Sequence, residues 1–384
     1  MIRNILFVSH SAEMGGAETT LLNLIQGLDR TRFRPVLTIP VLGPLGKEAA
    51  KAETEVRVVP FKWRLTERRN IWKQPLSLIW NRSWTAKLER IIQEKEIHLV
   101  FSSSAAAPCG AEAACRRGLP HIWSIHEFLS GPNPLLHYMR GEKRLASLIE
   151  RMSCRIIVNS KATSSPFAGS PKVRIVLNGV RPPPKDSPED LKRELGLGSG
   201  PVLGLVGKLY REKGQKEAVR AVVELRKTVP DVQLLLVGGT RDIGYKKALE
   251  SLIAAEGLEG HVRLLGQRSD GRLLMRMMDI LLVLSRIDSF GLAALDAMSA
   301  GIPVIALRAG GLPEIIRHEK NGCLISDLKP ATISAAVKRM MDEADFRASI
   351  IQGGLKTVRE EFSVAKQVEA TQRVIEECLS EERE

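Results

Sequence analysis

The sequence is poor in the features that mark secreted, membrane-spanning and metal-dependent proteins. Its five cysteines among 384 residues are odd in number and lack metal-ligand spacing, which predicts reduced thiols in a cytoplasmic protein. No apolar run is long enough to span a bilayer, and the short apolar patch near the start predicts a buried strand, not a signal peptide. There is no Asp-x-Asp pair to hold a metal. At 44% hydrophobic residues, the chain is nevertheless able to bury sizeable cores.

Acidic residues are scarce in the first half relative to basic ones. Residues 1–185 have 28 Lys and Arg against 14 Asp and Glu, whereas residues 186–384 have 29 against 30. The formal net charge of +13 therefore comes from the first half. An excess of this size predicts that the first half meets an anionic partner.

Short apolar, β-branched runs alternate with helical periods along the chain. The predicted strands of the first half are NILFVS, PVLTIP, RVVPF, LVFSS, HIWSI, RIIVNS and RIVLN. Those of the second half are PVLGLVG, QLLLVGG, VRLLG, ILLVLS and PVIAL. This alternation is typical of parallel α/β sheets. It predicts two doubly wound, Rossmann-like domains that face each other across a cleft, with ligands at the carboxyl ends of the strands.

The Pro-, Gly- and charge-rich run PPPKDSPEDLKRELGLGSG predicts a linker between these domains. We expect a first domain over 1–185, a linker over 186–200 and a second domain over 201–360. The remaining residues, 361–384, are expected to form a C-terminal helix that packs back on the first domain.

The stretch SRIDSFGLAALDAMSAGIPVIALRAGGLPEII, residues 285–316, has two acids around a helix start. Asp288 lies in the loop after a predicted strand, and Asp296 lies in the second turn of a helix from about Leu292. The backbone N–H groups near Gly291 and Leu292 can bind a phosphate. A carboxylate in the next turn suits the paired hydroxyls of a ribose, and Gly310-Gly311 predicts a second tight loop. Asp288 as a plain N-cap and Asp296 as a solvated helix acid are the alternatives.

Two lysines and a glycine loop add to this pattern. The segment VGKLYREKG follows the first strand of the second half, so Lys208 and Lys213 can reach the same phosphate. In the first half, Gly15 opens the loop GGAETTLLNL between a strand and a helix, with His10 close before it. A diphosphate held in this way predicts a nucleotide-linked donor.

These segments resemble the family 4 retaining glycosyltransferases, which have the GT-B architecture. The resemblance runs through most of the chain in the family's order. It is carried by SHSAEMGGAETTLLNL, PHIWSIHEF, VNSKA, VLNGV, VGKLYREKG and the whole 285–316 stretch.

The resemblance implies roles for the matching residues of the second half. Lys208, where the family usually has Arg, and Lys213 would neutralise the leaving diphosphate. Asp288 would lie beside the donor sugar and Asp296 on the ribose, although the family usually has Glu at both positions. Phe290, Gly291 and Leu292 are placed with the donor-binding residues.

In the first half, the resemblance implies that His126 contacts the donor sugar and that Gly16 lies near the diphosphate and the acceptor. Gly15 and His10 are placed on the acceptor side. The predicted catalytic set is His126, Asp288, Lys208 and Lys213. Judged without the family, His126 fits a hydrogen-bonded structural histidine better than a functional one, and the alternatives for His10 and for the Gly15-Gly16 pair are a structural histidine and a simple turn.

The reaction implied is transfer of a sugar from a nucleoside diphosphate with retention at the anomeric carbon, without cofactor or metal. Positive groups already oriented toward the diphosphate would stabilise its growing charge. A front-face attack, in which the leaving phosphate takes the acceptor proton, needs no enzymic base.

Four of the five tryptophans lie in the basic segment 61–90. Tryptophan and basic side chains together are typical of membrane interfaces, which predicts a peripheral protein at the inner face of the cytoplasmic membrane. The alternative is a helix that packs its tryptophans into the domain. No nucleic-acid-binding module is present, so nucleic acid is not an expected partner.

Three functions fit the sequence. The first is a glycosyltransferase with a membrane-linked or anionic glycan or lipid acceptor, as in lipopolysaccharide, glycolipid or capsule assembly. The second is a nucleotide-sugar-binding protein with weak or no transferase activity, because Asp288 and Asp296 are each one methylene shorter than the usual family Glu. The third is a soluble glycosyltransferase that acts on a small acceptor.

Overall fold

The computed structural model describes residues 2–66, 71–72, 74–129, 137–240 and 242–381, without the side chain of Leu78. Arg68, Arg69 and Lys73 of the basic segment lie outside the described residues. The chain forms two compact units. The first unit is Met1–Gly179 with Val364–Glu384, and the second unit is Val180–Ser363.

The first unit contains a parallel sheet of seven strands in the order β3-β2-β1-β4-β5-β6-β7. Its strands are β1 Arg3–Ser9, β2 Phe33–Ile39, β3 Glu55–Val58, β4 Ile97–Ser103, β5 His121–Ile125, β6 Arg155–Val158 and β7 Val173–Ile175. Its helices are α1 Gly16–Gly27, α2 Pro44–Lys51, α3 Gln74–Glu94, α4 Pro108–Arg117, α5 Glu142–Arg151, α6 Lys161–Ser164 and α15 Val364–Glu381. The central strands are buried on both faces, which explains their continuous apolar runs.

The second unit contains a parallel sheet of six strands in the order β10-β9-β8-β11-β12-β13. Its strands are β8 Val202–Val206, β9 Gln233–Val237, β10 Val262–Gly266, β11 Ile280–Val283, β12 Val304–Leu307 and β13 Cys323–Ile325. Its helices are α7 Glu189–Glu194, α8 Gln215–Leu225, α9 Ile243–Ala255, α10 Gly271–Met275, α11 Leu292–Ser299, α12 Leu312–Ile315, α13 Pro330–Asp342 and α14 Ala344–Glu361. The predicted α/β class with two Rossmann-like sheets is confirmed.

The boundaries between the units fall elsewhere than the sequence predicts. The first crossing follows Gly179, not residue 185, and the predicted linker over 186–200 lies inside the second unit. The physical reason is that Leu191, Leu195 and Leu197 pack against the core of that unit.

Helix α15 belongs to the first unit, where it packs along α1. Gln367 of α15 donates to the Thr20 carbonyl at 3.0 Å, and Gln372 accepts from the Asp29 amide at 2.8 Å. The chain therefore returns to the first unit after completing the second. In the described part of the chain, no helix is both long and apolar enough to cross a membrane.

Candidate functional site

The strand order of the second unit reverses between β8 and β11, which lie side by side. Ligands of doubly wound sheets bind at the carboxyl ends of the strands at such a reversal. Lys213 follows β8 in a short 3₁₀ turn, and Asp288 lies in the loop after β11. Lys213 Nζ lies 2.9 Å from Asp288 Oδ2, so the fold brings together a cation and an anion that are 75 residues apart.

This ion pair is largely shielded from solvent, with side-chain exposures of 20% for Lys213 and 15% for Asp288. Burial is the largest single effect on Lys213 and lowers its pKa, but the Asp288 carboxylate and Tyr210 together outweigh burial and hold the pKa above its ordinary value. Burial also raises the pKa of the neighbouring Tyr210, with a smaller opposing effect from Lys213. Lys213 is therefore a fixed positive charge at the switch point.

Two neighbouring loops hold the backbone around Asp288. Its Oδ1 accepts a hydrogen bond from the Phe290 amide at 3.3 Å, and its carbonyl accepts one from the Gly311 amide at 2.9 Å. Gly310 has φ +57°, and a Cβ there would lie 2.2 Å from the Asp288 carbonyl oxygen. The Gly310-Gly311 pair thus lets the loop after β12 lie directly against the Asp288 loop after β11. This explains why the glycine pair occurs one strand after Asp288 in the sequence.

Helix α11 begins immediately after Gly291, as predicted. Gly291 has φ +102°, and a Cβ there would lie 2.7 Å from Leu312 Cδ2, so the position favours glycine. The first turn of α11 leaves N–H groups without partners inside the helix. The Phe290 side chain is buried against Phe362, so Phe290 can offer a ligand only its backbone.

Asp296 faces an arginine that the sequence analysis did not identify. Arg272 of α10 donates from Nε to Asp296 Oδ1 at 2.9 Å, and its Nη2 donates to the carbonyls of Arg181 and Pro182 at 2.6 and 2.9 Å. Burial raises the pKa of Asp296, and Arg272 partly opposes that rise. Asp296 is therefore held in one orientation by a guanidinium that is itself fixed by two backbone carbonyls.

Lys208 is not part of this set of contacts. Its side chain is exposed and forms no ion pair with any residue that the structure describes. Its backbone carbonyl accepts from Gln215 at 3.0 Å. The Lys213 side chain instead packs against Gly207, the residue before Lys208. A Cβ built on Gly207 would lie 3.7 Å from Lys213 Cε. Lys208, the predicted second cation, is therefore next to Gly207 in the chain but does not take part in the Lys213–Asp288 ion pair.

In the first unit, the glycine loop and His10 meet at a buried glutamate. Glu18 accepts from the Gly15 amide at 3.1 Å through Oε2, and its Oε1 lies 3.3 Å from His10 Nε2. Trp63 packs against the His10 ring and donates from its indole to the His10 carbonyl at 2.7 Å. Gly16 then begins α1. This fixes the loop, and it leaves His10 Nδ1 buried without a hydrogen-bond partner.

His126 lies just after β5 and is neutral. Burial, and then the nearby His10, lower its pKa to about 3. Its Nε2 bonds to Ser124 Oγ at 3.1 Å, while its Nδ1 is buried without a partner. His126 also lines a cavity of about 20 Å³, which has room for about one water molecule but not for a sugar. A neutral imidazole can bind a hydroxyl but carries no charge for a diphosphate.

Glu127 was also missed from the sequence, although it lies in the quoted segment PHIWSIHEF. Its Oε2 accepts from the His126 amide at 3.1 Å. Its Oε1 accepts from Ser104 Oγ at 2.8 Å and the Ala105 amide at 2.6 Å, which joins the ends of β4 and β5. The sequence pattern that could have identified Glu127 is an acidic residue directly after a candidate histidine, at the end of a predicted strand.

Within the described ranges, His, Cys, Asp and Glu side chains form no group of three suited to a metal ion. The contacts above come from two separate sets, one in each unit. The second unit holds two cations, Lys213 and Arg272, each paired with a carboxylate, and a helix start. The first unit holds His10, whose ring contacts Glu18, and His126, whose ring bonds to Ser124 and whose backbone amide donates to Glu127.

Family models match both halves of the chain. Residues 14–182 match the model described as Glycosyltransferase Family 4, and residues 187–357 match the model described as Glycosyl transferases group 1. Together these ranges take in most of the chain.

Curated relatives match over part of their length. A stretch of 271 residues is 28% identical to the uncharacterized glycosyltransferase MJ1607 of Methanocaldococcus jannaschii, and it covers 65% of this chain and 66% of that protein. A stretch of 213 residues is 32% identical to the D-inositol 3-phosphate glycosyltransferase of Corynebacterium kroppenstedtii, covering 51% and 47%. The chain thus spans about half to two thirds of the length of these relatives.

Solved structures are similar over nearly the whole chain. Anabaena Alr3699/HepE in complex with UDP has a TM-score of 0.81 at 23% identity, with 97% of this chain and 100% of that chain covered. The same protein has been solved with UDP-glucose. WaaG, a glycosyltransferase involved in lipopolysaccharide biosynthesis, has a TM-score of 0.71 at 15% identity, covering 96% and 99%. The resemblance seen in the motifs is confirmed, and this chain belongs to family 4 of the glycosyltransferases, with the GT-B fold.

Proposed function

We propose that this protein transfers a sugar from a nucleoside-diphosphate sugar to a hydroxyl of an acceptor. The observation that carries the proposal is the shielded Lys213–Asp288 pair, 2.9 Å apart beside the start of α11. A fixed cation and helix amides suit a diphosphate, and a carboxylate next to them suits a sugar hydroxyl.

The second unit is proposed to bind the donor. Lys213 contacts the diphosphate, while exposed Lys208 can turn toward it when the nucleotide is present. Asp296, oriented by Arg272, accepts hydrogen bonds from the ribose hydroxyls. The amides at Gly291 and the first turn of α11 meet the phosphate, and Asp288 accepts from the donor sugar.

The first unit is proposed to serve the acceptor and the donor sugar. His126 is neutral, so its unpartnered Nδ1 is suited to a sugar hydroxyl and not to a charged phosphate. Gly15 and His10 are proposed on the acceptor side. Gly16, where α1 starts, is proposed near the diphosphate.

In the proposed reaction, the bond between the anomeric carbon and the diphosphate oxygen breaks, and the acceptor oxygen bonds to that carbon on the same face. The acceptor proton passes to the leaving phosphate, so the products are the glycoside and the nucleoside diphosphate. Lys213 and the helix amides meet the charge that grows on the leaving group, and because they are already oriented they need no rearrangement. The proposal calls on no cofactor and no metal ion, since these groups supply the positive charge.

For the donor we propose a UDP-sugar, because Alr3699/HepE of the same fold has been solved with UDP and with UDP-glucose. For the acceptor we propose a membrane-linked or anionic glycan or lipid. The excess charge of the first half and the likeness to WaaG, an enzyme of lipopolysaccharide biosynthesis, support this choice. The protein would then work as a peripheral protein at the inner face of the cytoplasmic membrane.

Two other functions have specific support. A small anionic acceptor is favoured by the likeness to a D-inositol 3-phosphate glycosyltransferase. A binding protein without transfer is favoured by Asp288 and Asp296, each one methylene shorter than the usual family acid.

A thermal-shift series with UDP-, GDP- and ADP-glucose tests the donor, because a ligand that binds only the native state raises the melting temperature. We expect the UDP-sugar to give the largest shift, and an Asp296→Ala variant to lose it. Release of UDP from UDP-glucose in the same samples separates an enzyme from a binding protein. Absence of a shift with all three sugars contradicts the proposal.

A further inference from the structure

The first half of helix α3 buries a polar face. Gln74, Ser77, Asn81 and Thr85 recur at spacings of three and four residues and are all buried. An ordinary surface helix buries its apolar side chains along such a stripe and exposes its polar ones. This part of α3 has the reverse arrangement.

The buried polar side chains have hydrogen-bond partners, so the orientation of the helix is well determined. Asn81 bonds to the backbone of Lys62 in both directions at 2.8 Å. Gln74 donates to Thr66 Oγ1 and to the His137 carbonyl, at 3.1 and 2.6 Å, and accepts from the Met139 amide at 2.7 Å. Rolling the helix to bury its apolar face would break these bonds, and unmade buried bonds are costly.

The opposite face of α3 is apolar and exposed to water. Leu76 is 53% exposed, Ile79 66% and Trp80 61%, and Trp72 just before the helix is 63% exposed. Met139, whose amide bonds to Gln74, is also exposed. The expectation that this segment packs its tryptophans into the domain holds for Trp63 and Trp84, which pack against buried residues, and fails for the other two.

Positive charge surrounds this apolar stripe. Between residues 74 and 87 the helix has Arg82 and Lys87 and no acidic residue. Lys62 lies over the Trp80 ring, with Nζ 5.9 Å from its centre. Tryptophan prefers the headgroup level of a bilayer, apolar side chains reach below it, and lysine and arginine attract anionic headgroups.

We propose that the exposed face of α3, formed by Trp72, Leu76, Ile79 and Trp80, docks the protein on an anionic lipid bilayer. The biological setting of this inference, a membrane-linked acceptor, rests on the proposed function. The docking itself follows from the inverted helix and its basic surroundings. The helix lies flat on the membrane, since its buried face remains bonded to the first unit.

The test is flotation of the full-length protein with vesicles of phosphatidylcholine and phosphatidylglycerol, compared with phosphatidylcholine alone. The wild type should float with the anionic vesicles at low salt. Ile79→Ser combined with Trp80→Ser should lower the partition coefficient by roughly tenfold or more at any salt concentration, because apolar burial is lost. Lys62→Ser with Arg82→Ser should lower it by roughly fivefold per residue at low salt only.

Ile243→Ser is the matched control, because Ile243 is equally exposed at 67% but lies on α9 of the second unit. It should float as the wild type does. UDP affinity, measured on the same variants, should not change, which shows that the fold is intact. The vesicles contain no acceptor, so loss of docking and loss of glycosyl transfer are distinguishable.

Failure of the wild type to float with anionic vesicles overturns the inference, as does unchanged flotation of the Ile79 and Trp80 variant. Sedimentation analysis tests the alternative that the exposed face of α3 binds a second copy of the chain. If Ile79→Ser with Trp80→Ser converts a dimer to a monomer and leaves flotation unaltered, the face belongs to a protein interface.

Discussion

Replacement of Lys213 by Met would separate its effect on the fold from its effect on the reaction. The change removes a charge that lies 2.9 Å from Asp288 in a site where both side chains are at most 20% exposed. Breaking a fully buried ion pair costs about 3–5 kcal/mol, so with this exposure we expect a loss of about 1–3 kcal/mol in the free energy of unfolding. Loss of the cation at the diphosphate should raise the barrier by about 2–4 kcal/mol, or roughly 30- to 1000-fold in kcat.

A second variant tells the two effects apart. Asp288→Asn added to Lys213→Met removes the stranded carboxylate, so stability should return to within about 1 kcal/mol of the wild type while turnover stays low. Lys227→Met is the control, because its pair with Glu224 lies on the surface of the same unit and should cost less than about 1 kcal/mol. Urea unfolding and UDP release from UDP-glucose give the two readouts. Wild-type turnover in folded Lys213→Met, or its return in the double variant, would refute the assignment of Lys213 to the diphosphate.

Three further predictions concern the carboxylates and a histidine. Asp296→Ala should weaken binding of free UDP, whereas Asp288→Ala should spare free UDP and impair sugar transfer; the reverse pattern in titration calorimetry would exchange their roles. Arg272→Ala removes the group that lowers the pKa of Asp296, so the loss of UDP affinity on acidification should begin at a higher pH than in the wild type; onset at the same pH in both proteins would contradict this. The folded pKa of His126 is about 3, below the unfolded value, so its contribution to stability is complete above about pH 6.5 and is lost as pH falls toward 3. His126→Gln should therefore lower the slope of the unfolding free energy against pH in that window by up to about 1.4 kcal/mol per pH unit. An unchanged slope in the variant would show that a group other than His126 takes up the proton.

Strands with continuous apolar runs were predictable, because both faces of a parallel sheet are covered. All seven strands of the first unit overlap predicted runs, although β3 shares only two residues with its run, and five of the six strands of the second unit also overlap predicted runs. The exception is β13, Cys323–Ile325, a three-residue strand at the edge of the sheet. The domain boundary was misplaced because leucines in a charged segment, such as Leu191, pack against a core that lies far away in sequence.

Residues with a local signature were found, and residues that act through distant partners were not. Gly291 and Asp288 are identified by a helix start within their own segment. Arg272 lies in the short helix α10, just before a methionine-rich segment, and nothing local indicates that it reaches Asp296, 24 residues on. The outward direction of Trp80 depends on Asn81 bonding to the backbone of Lys62, a contact that periodicity alone does not reveal.

The most direct test of the central claim is proton NMR of UDP-glucose incubated with the protein, first alone and then with lipid extract as acceptor. The account predicts that UDP accumulates and that the new anomeric signal first appears in the α configuration, which is retention. Binding of UDP-glucose without any release of UDP would contradict glycosyl transfer, and a first product in the β configuration would contradict the retaining mechanism.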